Sequence, residues 1–167
     1  MVDISPPPHR IYLLRHAEAG WAQPGERDFD RSLNENGYAE AELVADRAAD
    51  KGYRPEVVIS STAVRCRQTA DAVRRAMGSS VDFRFVDELY NAPVDVYLEI
   101  VQSQGTPESI MLIGHNPTME HALEALIGHD ALSGALPNGF PTGGLAVVEY
   151  VDGSAGTGWV LADLIVE

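Results

Sequence analysis

Two short segments carry residues able to hold and act on an anion. Arg15-His16 directly follows the apolar run Ile11 to Leu14, and Gly114-His115-Asn116-Pro117 directly follows Ser109 to Ile113. If both runs are strands of one parallel sheet, the two histidines stand at carboxyl ends, where open α/β sheets bind their ligands. They would then face one another across a crevice. Asn116 suits a helix cap and Pro117 a first helical position, which puts His115 just before a helix start. Such a start exposes N–H groups and a partial positive charge, and so favours an anion.

A third candidate lies in the segment Ser60-Ser61-Thr62-Ala63-Val64-Arg65-Cys66-Arg67. Arg65 falls in the first turn of a helix whose apolar stripe is Cys66, Thr69/Ala70, Val73, Ala76 and Met77. Arg67 lies about 200° away around that helix at ~3.6 residues per turn. Arg67, Asp71 and Arg75 follow one another at i+4 and read as a solvated ion-pair row. Arg65 has only Gln68 and Thr69 at i+3 and i+4. An arginine without a local acid beside a helix start is electrostatically awkward until an anion arrives, so Arg65 is the phosphate ligand of choice. The plainer alternative is a salt bridge to a distant carboxylate.

Other chemically capable residues are weaker. Cys66, on the apolar stripe, reads as a small buried side chain. His121 and His129 lack metal-ligand spacing, His9 lies near the start, and Asp28 and Asp30 read as loop or capping acids. No glycine-rich nucleotide fingerprint is present, so neither a metal nor an organic cofactor is expected.

The elements that must position these groups alternate between strand and helix, which predicts an α/β fold with a mostly parallel sheet. Strands are read at Ile11 to Leu14, Val57 to Ser60, Val81 to Val86, Ser109 to Ile113, Leu145 to Val151 and Trp159 to Val166. The first helix follows a polar stretch, Glu18 to Ser32; it runs from an Asn34 cap to Lys51, with Tyr38, Ala41, Ala45 and Ala48 as its core stripe. Further helices are read at Ala63 to Met77, Val94 to Gln104 and Pro117 to Ile127, each followed by glycine. Ala131 to Gly144 reads as a long irregular connection. Long irregular segments in compact domains are often functional, so this one and Glu18 to Ser32 are the expected rims of a site.

The chain has 167 residues, 45% of them hydrophobic and 22% charged, with 12 basic against 25 acidic side chains and a net charge of −13. That length and composition fit one soluble domain with its own core, here 10–167, preceded by a short extended lead-in over 1–9. The negative balance argues against nucleic-acid binding and requires any phosphate site to be built from a few local cations. A single cysteine excludes an internal disulfide. No apolar run is long enough to span a membrane and the start has no apolar core of a secretory leader, so a cytoplasmic location is expected.

Taken together, Leu14-Arg15-His16-Ala17-Glu18, the segment Ser60 to Thr69, and Ile113-Gly114-His115-Asn116-Pro117 resemble the three signature segments of the histidine phosphatase superfamily, in the same order. The small size and Phe140-Pro141-Thr142 before the penultimate strand make the chain most similar to the SixA-type phosphohistidine phosphatases. The resemblance covers roughly Arg10 to Val151. It departs where Thr62 and Cys66 replace the usual proline and alanine of the middle segment.

The resemblance implies a three-layer α/β/α sandwich of phosphoglycerate mutase type, with an antiparallel strand near the C-terminus. It implies a metal-independent phosphatase in which Arg15, His16, Arg65 and His115, with Asn116, surround the phosphoryl group and His16 carries it covalently. Phosphoglycerate mutase relatives place a glutamate after the third strand, and Glu88 stands in the matching region as a candidate general acid; otherwise it is a capping or surface carboxylate. The leading expectation is hydrolysis of phosphohistidine on a protein partner. The alternatives are a phosphatase of a small phosphomonoester, such as a sugar phosphate, and a non-catalytic phosphate-binding module. Oligomeric state is not legible.

Overall fold

The computed structural model describes residues 3–167. Six strands form one sheet in the order β3-β2-β4-β1-β5-β6: β1 (Arg10–Arg15), β2 (Val57–Ser61), β3 (Asp82–Val86), β4 (Ser109–Gly114), β5 (Leu145–Tyr150) and β6 (Trp159–Ile165). The first four run parallel, β5 pairs antiparallel with β1, and β6 pairs antiparallel with β5. The expected antiparallel strand is thus the start of an antiparallel pair.

Two helices, α1 (Glu35–Asp50) and α2 (Val64–Met77), cover one face, while α3 (Val94–Ser103), α4 (Thr118–Ile127) and α5 (His129–Ala135) lie on the other. Alternation along the central strands sorts the core into two layers. Ile11, Leu13, Ile110 and Leu112 face α3 and α4, and Tyr12, Leu14, Met111 and Ile113 face α1 and α2. A strand buried on both faces must be apolar at every position, which is why β1 and β4 read as unbroken runs. Each of these side chains contributes about 1.5–3 kcal/mol by leaving water. Together they make the middle of the sheet the rigid base of the molecule.

The chain leaves β1 toward one face and β4 toward the other, although the two strands are neighbours. This is a topological switch point, and it opens a crevice beyond the ends of β1 and β4.

Four expectations are corrected. Tyr38 is not a core residue: it is 43% exposed, and Val44 joins Ala41, Ala45 and Ala48 inside. Gly37 fixes this orientation, since a Cβ there would stand 1.9 Å from the Glu18 carbonyl oxygen; the close approach turns the neighbouring tyrosine outward. The connection read as irregular from Ala131 begins inside a short helix, α5. The row Arg67-Asp71-Arg75 does not form. Arg67 lies over the Phe85 ring at 4.7 Å, Arg74 takes Asp71, and Arg75 takes Glu42. The helix after His115 begins at Thr118, with Pro117 at its cap; Asn116 Oδ1 accepts from the Glu120 N–H at 3.1 Å.

Part of the lead-in, Met1 and Val2, lies outside the described residues. From Asp3 on it is held to the domain: Ile4 is buried and its carbonyl accepts from the Trp159 indole N–H at 3.0 Å. No helix among the described residues is long and apolar enough to cross a membrane.

Candidate active site

Arg15 is in register with Gly114 across the β1–β4 pair, and the His16 N–H continues the ladder to the Gly114 carbonyl at 3.0 Å. The residues that follow the two strands therefore emerge side by side. The imidazoles of His16 and His115 meet edge to face with centroids 5.4 Å apart. They line a cleft of about 470 Å³ with Arg15, Arg31, Arg65, Tyr97, Asn116 and Thr118 among its walls. Arg15, His16, Arg65, His115 and Asn116 are thus brought together from β1, α2 and the start of α4.

Glu88 is not. It lies exposed on the 3-10 turn Asp87–Leu89 and does not line the cleft. No side chain lining the cleft among the described residues is a carboxylic acid. Arg31 was missed in the sequence reading because it sits in a polar stretch without periodicity. Its spacing of three from Asp28 was the available signal, and the two form an ion pair at 2.9 Å.

The partners of each ring nitrogen assign the histidine tautomers. His16 Nδ1 lies 2.7 Å from the Ala17 carbonyl oxygen, which can only accept, so Nδ1 carries the hydrogen and Nε2 keeps its lone pair. Arg65 Nη2, a donor only, lies 3.4 Å from His115 Nδ1, so His115 is protonated at Nε2, which donates to Ser61 Oγ at 2.9 Å. The His115 N–H is taken by the Tyr97 hydroxyl at 3.0 Å.

Both rings are held neutral. Burial pushes the His16 imidazolium down to about 3, helped by His115 and the two arginines and opposed by the Ala17 carbonyl. Burial also pushes His115 down to about 4, with Arg65 and Arg15 adding to it and Asp28 opposing. A phosphoryl group entering between them brings negative charge and reverses part of this for the ring nearest its oxygens. The Cys66 thiol is wholly buried and pushed up to about 12, chiefly by desolvation, so it stays protonated and unreactive.

The arginines are braced rather than free. Arg65 is buried and donates from Nη1 to the Asp28 carbonyl at 2.8 Å and from Nη2 to the Asp28 carboxylate at 3.1 Å. The distant carboxylate therefore exists, 37 residues away in the chain. Arg15 donates to the Phe140 carbonyl at 2.8 Å, while its Nε–H is buried without a partner among the described residues. A buried donor left unmatched is costly where it stands. The segment between α5 and β5 closes around the strand end: the Gly143 N–H reaches the Arg15 and His16 carbonyls, both at 3.1 Å. Thr69 links the other side, accepting from the Ala17 N–H at 3.1 Å and donating to the Arg65 carbonyl at 2.8 Å.

The cleft thus combines fork-shaped cations, a helix start and an unprotonated imidazole nitrogen within one small volume. That set can bind a tetrahedral anion and attack it. Among the described residues, no group of three or more His, Cys, Asp or Glu side chains is arranged to hold a metal ion.

Comparison with known proteins bears on the family and the overall fold. Residues 11–92 match the model of the histidine phosphatase superfamily (branch 1). A solved structure from Agrobacterium tumefaciens, provisionally assigned as the phosphohistidine phosphatase SixA, is 54% identical. It superposes with a TM-score of 0.90 over 96% of this chain and 99% of that one. A second, from Nakamurella multipartitia and assigned in the same provisional way, is 30% identical with a TM-score of 0.71, covering 85% of this chain and 84% of the other. An uncharacterised chloroplastic protein of Arabidopsis thaliana is 33% identical over 71% of this chain, which spans 59% of that relative's length.

Proposed function

The chain belongs to the histidine phosphatase superfamily, and from that premise we propose that it hydrolyses phosphohistidine on a protein through a covalent intermediate at His16. The observation that carries this reading is the tautomer of His16, whose Nδ1 is tied to the Ala17 carbonyl and whose Nε2 keeps its lone pair in a cleft lined by Arg15, Arg65 and His115. Nε2 attacks phosphorus in line while the P–N bond to the substrate imidazole breaks, its electron pair going to a ring that leaves neutral because its other nitrogen already carries a proton. Water then displaces the phosphoryl group from His16. Arg15 and Arg65 bind the equatorial oxygens throughout, each charged hydrogen bond contributing about 1.5–3 kcal/mol. Asn116 adds an amide at the same wall.

The choice of phosphohistidine over an alcohol ester follows from the leaving group. An alkoxide is a strong base and needs a positioned acid to leave. A phosphohistidine ring whose other nitrogen carries a proton leaves as neutral imidazole, the conjugate base of an acid with a pKa near ~6.5, and does not. The cleft wall holds no carboxylic acid. The provisional SixA assignments of the two similar structures support the same substrate class.

The test offers purified protein a phosphohistidine-bearing protein, a sugar phosphate and an aryl phosphate, and quenches each reaction for phosphate bound to His16. The reading expects rapid turnover of phosphohistidine and a phosphorylated His16 peptide by mass spectrometry. A preference for the sugar phosphate would assign the chain to the small-ester phosphatases, and binding without an intermediate would mark a binding module.

A further inference from the structure

The carboxylate of Asp28 is the meeting point of three side chains that come from distant parts of the chain. Its Oδ1 accepts from Arg31 Nη1 at 2.9 Å. Its Oδ2 accepts from the Tyr90 hydroxyl at 2.7 Å and from Arg65 Nη2 at 3.1 Å. Each partner bears on the cleft. Arg31 and Arg65 line it. The Tyr90 ring packs edge to face on His115 with centroids 5.5 Å apart, and Phe29, next to Asp28, backs that ring at 5.1 Å. Asp28 itself is half exposed and does not line the cleft.

An ordinary exposed ion pair orders little, because water screens both charges. This one differs in its buried half. The Arg65 side chain is 7% exposed, and among the described residues Asp28 is its one carboxylate partner. With little water to spread into, the guanidinium depends on that carboxylate for both its direction and its charge balance. The partners in turn hold Asp28 ionised: the hydrogen bonds from Tyr90 and Arg31, and the charge of Arg65, keep its carboxyl well below the usual range. It therefore stays a fixed negative charge through the working pH range and cannot serve as a proton donor.

We propose that Asp28 is a positioning and counter-ion residue of this site: it aims Arg65 at the bound phosphoryl group, holds the Tyr90 ring against His115, and acts on the reaction through them. The inference rests on reading the cleft as a phosphoryl site. The groups that face His115 are Arg15 and His16 from the end of β1, Asp28 from the 3-10 turn Asp28–Asp30, Arg65 and Cys66 from α2, and Tyr90 and Tyr97. Arg15 and Arg65 disfavour a proton on this ring, and Asp28 favours one. His115 donates to a phosphoryl oxygen most strongly as an imidazolium, so the carboxylate beyond Arg65 supports that state once substrate is bound.

The test follows the ring signals of His16 and His115 by nuclear magnetic resonance across pH, in full-length protein saturated with inorganic phosphate. Asp28→Asn removes the charge and keeps the shape. It should lower the His115 midpoint by about one pH unit, the scale expected from an opposite charge at this range, and leave that of His16 within a few tenths. The basic limb of kcat should move the same way, with kcat/KM at pH 7.5 down about tenfold. Asp28→Glu, which keeps the charge, should restore the midpoint. Asp28→Ser is the second neutral variant, on an exposed turn, should Asn prevent folding. An unmoved His115 midpoint in the neutral variants, with activity lost evenly at every pH, overturns the proposal and leaves Asp28 a structural residue. If the wild type neither binds phosphate nor turns over, the reading of the cleft falls, and this inference with it.

Discussion

The Tyr97 hydroxyl occupies the space where a side chain at residue 114 would begin. A Cβ on Gly114 would stand 2.5 Å from that oxygen, which accepts from the His115 N–H at 3.0 Å and donates to the Leu89 carbonyl at 3.1 Å. Gly114→Ala should push the buried tyrosine aside and orphan both groups, costing about 1–3 kcal/mol per unmatched group. Tyr97→Phe loses the hydrogen bonds without the clash and should cost less. Urea denaturation orders the two variants, and equal stability of Gly114→Ala and wild type would show that the strand end tolerates the displacement.

Two arginines that stand two positions apart on α2 should separate sharply. Arg65→Ala removes a buried donor aimed at the cleft and should lower kcat/KM about a hundredfold or more, near the loss of two charged hydrogen bonds. Arg67, stacked on Phe85 and donating to the Thr62 carbonyl at 2.9 Å, works at the surface. Its alanine variant should stay within about threefold in activity and lose no more than about 1 kcal/mol of stability. Steady-state kinetics on both variants checks the contrast.

His16→Ala should retain under about a few per cent of turnover, since no other group can replace a covalent nucleophile. Arg15 and Arg65 remain, so inorganic phosphate should still bind within about tenfold of wild type. Calorimetry beside a turnover assay reads both quantities, and substantial residual turnover would remove His16 from its assigned role.

Burial of two neutral histidines makes stability depend on pH. Both fold with their pKa values depressed, to about 3 and about 4, against 6.5 for the free side chain. The unfolded chain therefore binds more protons below pH ~6.5, and stability present above that point is lost as pH falls toward 4. The slope approaches about 1.4 kcal/mol per pH unit for each histidine. His115→Gln should flatten the slope between pH 6.5 and 4.5. Saturating phosphate, which raises the His115 pKa, should flatten it as well. Chemical denaturation at several pH values measures the slope directly.

Glu88→Gln should leave activity within about twofold on both phosphohistidine and ester substrates, because the side chain is exposed on its 3-10 turn and outside the cleft. A selective loss of ester hydrolysis would restore Glu88 as an acid that reaches the cleft by movement.

Local signals carried far in this chain. Buried parallel strands must be apolar at every position, so Ile11 to Leu14 and Ser109 to Ile113 declared themselves, and with them the strand-end positions of His16 and His115. The Asn34 cap is a contact of side chain with nearby backbone: its Oδ1 accepts from the Gly37 N–H at 2.8 Å. Cys66 was readable as core from its place on the apolar stripe of α2, and it is fully buried. Tyr38 shows where the pattern alone fails. Its spacing fits the stripe, yet the approach of Gly37 to the Glu18 backbone, set by a distant loop, turns it to solvent.

The sequence by itself determined the layered α/β fold, the two strand-end histidines and the choice of Arg65 over Arg67, because these follow from periodicity, caps and helical angle within a few residues. Only the tertiary structure decided the charge pairing and the walls of the cleft: Asp28 against Arg65, Arg31 in the lining, Tyr90 on His115, and Glu88 outside. The physical reason is range. Periodicity and capping act through neighbouring backbone, while an ion pair forms between whichever opposite charges the packed sheet and its connections bring together.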